Sequence, residues 1–94
     1  MDCKHTVFSG HAVRRMFERG IKESHVSKVI AEGELIAEYP DDEPFPSMLL
    51  MGRVDKEALH VVLSVDSATG TCHVITAYLP DPGLWKADFR RRLP

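Results

Sequence analysis

The sequence predicts an α+β fold: two N-terminal helices packed on a four-stranded antiparallel sheet, with a short helical segment at the C-terminus. Three observations carry this expectation. Helical apolar spacing is concentrated before residue 33. Four strand-like runs follow, separated by turn-forming residues. No helical block interrupts those runs, so they should pair as a meander with the helices gathered on one face. A chain of 94 residues suits a single domain, 1–94.

The chain opens with a possible short extended piece at Lys4–Phe8. The first helix is bounded by Ser9, whose hydroxyl can cap an early N–H, and by Gly20, which enters the left-handed region without a Cβ penalty. Between them Ala12, Val13, Met16 and Phe17 form one side and are expected to anchor the helix. His11, Arg15 and Arg19 recur four apart on another side, flanked by Arg14 and Glu18. The second helix reads from Ile21 to Gly33, with Val26, Val29 and Ile30 as its stripe.

Strands are expected at Glu34–Tyr39, Ser47–Val54, Ala58–Asp66 and Thr71–Leu79. Pro40 to Pro46 holds three prolines and three acids and reads as a loop. In the third run Leu59, Val61, Leu63 and Val65 alternate with His60, Val62, Ser64 and Asp66, so the odd set should face the helices. In the fourth, Ile75, Ala77 and Leu79 are the more apolar set. His60, Thr76 and Tyr78 should then share the other face as cross-strand neighbours. Pro80 to Gly83 breaks the sheet, and Leu84–Arg92 is expected to form a helical turn or two anchored by Leu84, Trp85 and Phe89.

The net charge of −2 argues against a protein that coats nucleic acid without selectivity. The charge is unevenly spread. Residues 1–30 carry six Lys/Arg against three Asp/Glu, residues 31–46 carry six acids and no base, and residues 84–94 carry four bases against one acid. If the two basic ends meet in the fold, they form a local cationic site. The two cysteines, Cys3 and Cys72, are no disulfide framework. With no apolar leader segment and no membrane-length apolar run, the expected location is a reducing cytoplasm, with no membrane contact.

The run His11-Ala12-x-x-Arg15-Met16-x-x-Arg19-Gly20-Ile21 resembles the N-terminal motif of the DUF4258 family, small bacterial domains of unknown function. Further runs are similar in order and spacing: Gly33-Glu34-x-Ile36 with Tyr39-Pro40, Pro46-Ser47-x-Leu49-Leu50, Leu59-His60-Val61-Val62, and Ile75-Thr76-Ala77-Tyr78-x-Pro80-Asp81-Pro82-x-x-Trp85. Lys22 departs from the pattern, standing where a capping Ser or Thr is usual. The family's resemblance to RelE/barnase-like ribonuclease toxins implies a small sheet carrying a metal-independent RNA-cleaving site, although fold does not by itself imply function.

Such cleavage needs a base for the 2′-OH proton, cations for the charge on phosphate and an acid for the leaving oxygen. His11 or His60 could supply the base or acid, since imidazole titrates near neutrality. Arg15 and Arg19 could clamp the phosphate. Thr76 and Tyr78 could donate hydroxyl hydrogen bonds, and Arg90, Arg91 and Arg92 could close over the substrate. Each residue also has a plainer reading. Arg15 can pair with Glu18, His60 can be a satisfied sheet histidine, and Thr76 and Tyr78 are ordinary strand formers.

The competing expectation is a non-catalytic interaction module, which the overall acidity favours. A metal site at Cys3-x-His5 with Cys72-His73 is disfavoured, because Cys72 and His73 fall on opposite faces of a regular strand. No metal or cofactor is therefore expected. RNA, a cognate antitoxin or another protein are the expected partners, and the oligomeric state is left open. One difficulty is geometric. The first helix packs on the core side, whereas the His60 set faces away from it, so the two can meet only at a sheet edge.

Overall fold

Five strands, not four, make the sheet, and one of its pairings is parallel. The computed structural model describes residues Met1–Pro94. The element order is β1 (His5–Phe8), α1 (Gly10–Glu18), α2 (Glu23–Glu32), β2 (Glu34–Tyr39), β3 (Ser47–Val54), β4 (Glu57–Asp66) and β5 (Thr71–Tyr78). In the sheet the order is β1-β5-β4-β3-β2. The expected four-stranded antiparallel sheet is thus corrected to a mixed one. The extended piece before α1 joins as β1, running parallel to β5 with Phe8 opposite Val74. Four residues are too few to display a period, and the partner strand lies at the far end of the sequence.

A disulfide between Cys3 and Cys72 fastens β1 in place, with Cα atoms 5.7 Å apart, inside the usual range for a bridge. The expectation that the two cysteines form no disulfide framework is corrected to this one bridge. It also removes both sulfurs from the metal set that was weighed above.

Both helices lie on one face of the sheet. Val26, Val29 and Ile30 of α2, with Ala12 and Met16 of α1, close a core with Leu50, Leu59, Val61, Leu63, Cys72, Val74 and Ala77. Gly52 allows the close approach of α2, since a Cβ there would lie 2.9 Å from Val29 Cγ2. Helix α1 begins with Ser9 Oγ accepting from the Ala12 N–H at 3.0 Å. It ends in a Schellman motif: the Ile21 N–H bonds Met16 O, the Gly20 N–H bonds Phe17 O, and Gly20 sits at φ 68°. Ile21 and Met16 are both buried, as the hydrophobic contact of that motif requires. At α2 the Lys22 ammonium cannot accept a hydrogen bond. His25 Nδ1 instead accepts the Lys22 backbone N–H.

Two apolar assignments are corrected. Val13 is 42% exposed and Phe17 86%, so only Ala12 and Met16 anchor α1. On β5, a register shift sets Val62 opposite Thr76 but Leu63 opposite Val74, leaving Ile75 unpaired. This bulge reverses the alternation, so that Cys72, Val74 and Ala77 all enter the core while Ile75 is 41% exposed. Leu79 is also half exposed.

The C-terminal helical segment does not form. Residues 80–94 make a strap of turns whose two limbs meet in a single bridge, Trp85 with Arg92. Phe89 sits at φ 57°, incompatible with helix. Asp81 Oδ1 draws the Gly83 N–H into a turn. No helix of the chain is long and apolar enough to cross a membrane.

Candidate functional site

The sheet face away from the helices collects the polar residues of β4 and β5. His60 pairs with Tyr78 and Val62 with Thr76, so the expected cross-strand relation is present. Leu49 and Met51 of β3 share this face, pairing with Val62 and His60. Both are buried, yet neither belongs to the helix-packed core. The strap lies over this half of the face. The Trp85 ring meets the His60 ring edge-on at 4.5 Å, and Phe89 O lies 2.8 Å from His60 Nε2.

His60 is consequently sealed, with 0% exposure. Its hydrogen bonds fix its tautomer. The Phe89 carbonyl only accepts, so Nε2 carries the proton and donates. Nδ1 of the neutral ring then accepts from the Tyr78 hydroxyl, 3.3 Å away. Burial lowers the His60 pKa from its ordinary value, opposed by the Phe89 carbonyl, which raises it. The imidazole is kept neutral and aims the Tyr78 phenol.

Arg19 reaches the same region around the edge of the sheet. β1 pairs with β5 only as far as Phe8 and Val74, so the last residues of β5 lack a strand neighbour on that side. Arg19, at the C-terminal end of α1, fills the gap. Its Nη1 donates to Ala77 O at 2.8 Å and to Thr76 Oγ1 at 3.1 Å. The remaining guanidinium N–H groups stay available in an exposed side chain. The edge crossing that the strand parity demanded is therefore made by Arg19 alone.

Tyr78 feels charge from both basic ends of the chain. Burial and then the nearby Tyr39 raise its pKa, while the charges of Arg92 and Arg19 draw it down. The phenol therefore stays protonated. Arg92 also lies over the Trp85 ring, 5.5 Å from its centroid. Further along the same face the Phe45 and His73 rings stack at 5.7 Å.

Arg19, Thr76, Tyr78 and His60 thus come together. His11 and Arg15 do not join them. His11 is exposed in the first turn of α1 with no side-chain hydrogen bond, two turns or about 12 Å along the axis from Arg19. Arg15 pairs with Glu18 at 3.3 Å. Arg90 is taken by Glu34 of β2, 2.5 Å away, and Arg91 is exposed. Tyr39, Phe45, His73 and Trp85 lie on this face outside the residues expected for the site. Trp85 was legible as an apolar anchor but not as the lid on His60. No group of three or more His, Cys, Asp or Glu side chains is placed to hold a metal.

A family model described as "Domain of unknown function (DUF4258)" matches residues 8–79, and the chain belongs to that family. No curated protein and no solved structure matches the chain.

Proposed function

We propose that this DUF4258 domain takes single-stranded RNA on the open face of its sheet and cleaves it without a metal, in the manner of a toxin-type endoribonuclease. The observation that supports this best is the Arg19 guanidinium held on Thr76 Oγ1 and Ala77 O, next along β5 to Tyr78, whose hydroxyl meets His60. A phosphodiester set against this patch meets forked cationic donors, which suit the charge that builds on phosphorus. Tyr78 Oη takes the 2′-OH proton as its own passes to His60 Nδ1, and water protonates the leaving 5′-oxygen. Tyr39 and the Phe45–His73 stack offer flat faces for unstacked bases.

A second reading, a non-catalytic interaction module, is favoured by one observation. Neither imidazole is free at the patch, since His60 is sealed and His11 lies two turns away. The two readings part in one experiment: incubation of the wild type with mixed RNA in a chelating buffer, alongside expression in a bacterial host. The nuclease reading expects RNA fragments with the metal removed and slowed growth, both lost in Tyr78→Phe and Arg19→Gln. Intact RNA and normal growth with the wild type would leave the interaction module, for which a protein partner covering the same patch is the expected ligand.

A further inference from the structure

The strap, unlike the strands, makes no backbone bond to the sheet. All of its backbone–backbone hydrogen bonds are internal: Leu84 and Trp85 to Asp81 O, Lys86 to Arg91 O, Phe89 to Lys86 O and Leu93 to Leu84 O. Its Arg90 N–H turns inward as well, onto Asp88. It therefore shares no ladder with the sheet beneath it. Its grip is made of side-chain contacts and one carbonyl. Trp85 is buried against His60, Phe89 O accepts from His60, Arg53 lies over the Phe89 ring, and Arg90 pairs with Glu34. The last two contacts are exposed, and the pair weakens as salt is added. The family match ends at residue 79, immediately before the strap begins.

We propose that residues 80–94 are a displaceable strap that docks on the open face of the sheet as a preformed unit and gates access to it. The strap swings from the segment following Tyr78, where Leu79 is half exposed. Lifting it breaks no ladder bond, because its loop keeps its own. Water replaces Phe89 O at His60 Nε2, so no buried donor is stranded. The opened face presents Met51, His60 and the inner side of Tyr78, extending the RNA surface across β4 to β3. Phe89 at φ 57° fits a conformation held by docking, since a bulky residue rarely adopts that region unaided. The gating role rests on the RNA reading above. The detachment does not.

Trp85 is the chain's one tryptophan and stands on the strap, so quenching of its fluorescence by acrylamide reports docking directly. Arg90→Glu sets a carboxylate against Glu34 and should raise the quenching constant several-fold. The exchange Glu34→Arg with Arg90→Glu keeps the net charge and should restore it. Phe89→Ser with Arg90→Glu removes two anchors and should open the strap fully, while far-UV circular dichroism keeps the sheet signal. Binding of a fluorescein-labelled single-stranded RNA oligonucleotide is then compared across the same proteins. Arg90→Glu lowers the positive charge and should weaken binding if electrostatics alone decides. A several-fold gain instead, reversed by the charge exchange, supports gating. Quenching in the Phe89→Ser, Arg90→Glu protein equal to wild type overturns the strap. Opening with unchanged affinity, where the wild type binds RNA, overturns its gating role. Opening with no RNA bound by any variant supports the detachment and overturns the RNA reading.

Discussion

His60 concentrates the argument at the scale of single residues. A buried imidazole with both nitrogens engaged is tied to its surroundings by shape and by proton inventory. His60→Ala would leave the Phe89 carbonyl and the Tyr78 hydroxyl without their partner and open a cavity under Trp85. The expected loss of stability is about 2–4 kcal/mol, read from urea denaturation at neutral pH. His60→Gln should lose less, because an amide can still donate to one group and accept from the other. The same residue sets a pH dependence. Its folded pKa lies below 6.5, the ordinary value, so between the two the unfolded chain binds the extra proton. The His60 contribution is therefore complete above pH 6.5 and declines as pH falls through that window. Urea midpoints of wild type and His60→Gln should converge as the solution is acidified from pH 7.5 to about pH 5. A constant separation between them would show that His60 binds its proton equally in the folded and unfolded chains.

At the scale of elements, α1 shows how a correct pattern can be read too generously. The pairs Ala12 with Met16 and Val13 with Phe17 both have helical spacing, and nothing local separates the two stripes. The separation comes from position. α1 lies at the end of the sheet against β5 and buries a single stripe, whereas α2 spans β3 and β4. Met16→Ala is accordingly expected to cost about 2–5 kcal/mol in thermal or urea unfolding. Phe17→Ser should change stability by less than about 0.5 kcal/mol, since the ring is 86% exposed. Equal costs for the two would return Phe17 to the core. The strands teach the complementary lesson. The odd face of β4 was legible because Leu59, Val61 and Leu63 alternate without exception. That of β5 was not, because the bulge at Ile75 shifts the alternation partway along, and no Gly or Pro marks the place. The Tyr78–His60 pairing survived the error because both residues lie on the same side of the bulge.

On the scale of the whole molecule, long-range closure is what the sequence hid. β1 and the strap both complete the fold from the chain's ends, one by joining an edge of the sheet and the other by covering its open face. Neither has enough internal pattern to announce its partner. Hence the meander and the His60–Tyr78–Thr76 face could be anticipated, while the pairing of the Lys4–Phe8 piece with β5 and the lid on His60 could not. The Arg19 crossing illustrates the link: only because β1 ends opposite Val74 does β5 expose Ala77 O for Arg19 to cap. The Cys3–Cys72 bridge holds that arrangement together, closing a loop between positions 69 apart. In the chain-entropy view, closing a loop of this size restricts the unfolded state by roughly 4 kcal/mol. Reduction, or Cys3→Ser with Cys72→Ser, should therefore lower the unfolding midpoint substantially. It should also speed hydrogen exchange first in the four residues of β1 and in their partners on β5. The core on α2, β3 and β4 is built without the bridge and should keep its protection longest. Uniform loss of protection along the chain would mean that β1 is integral to the cooperative core. An unchanged midpoint on reduction would mean that the parallel edge holds by its hydrogen bonds and by Phe8 alone.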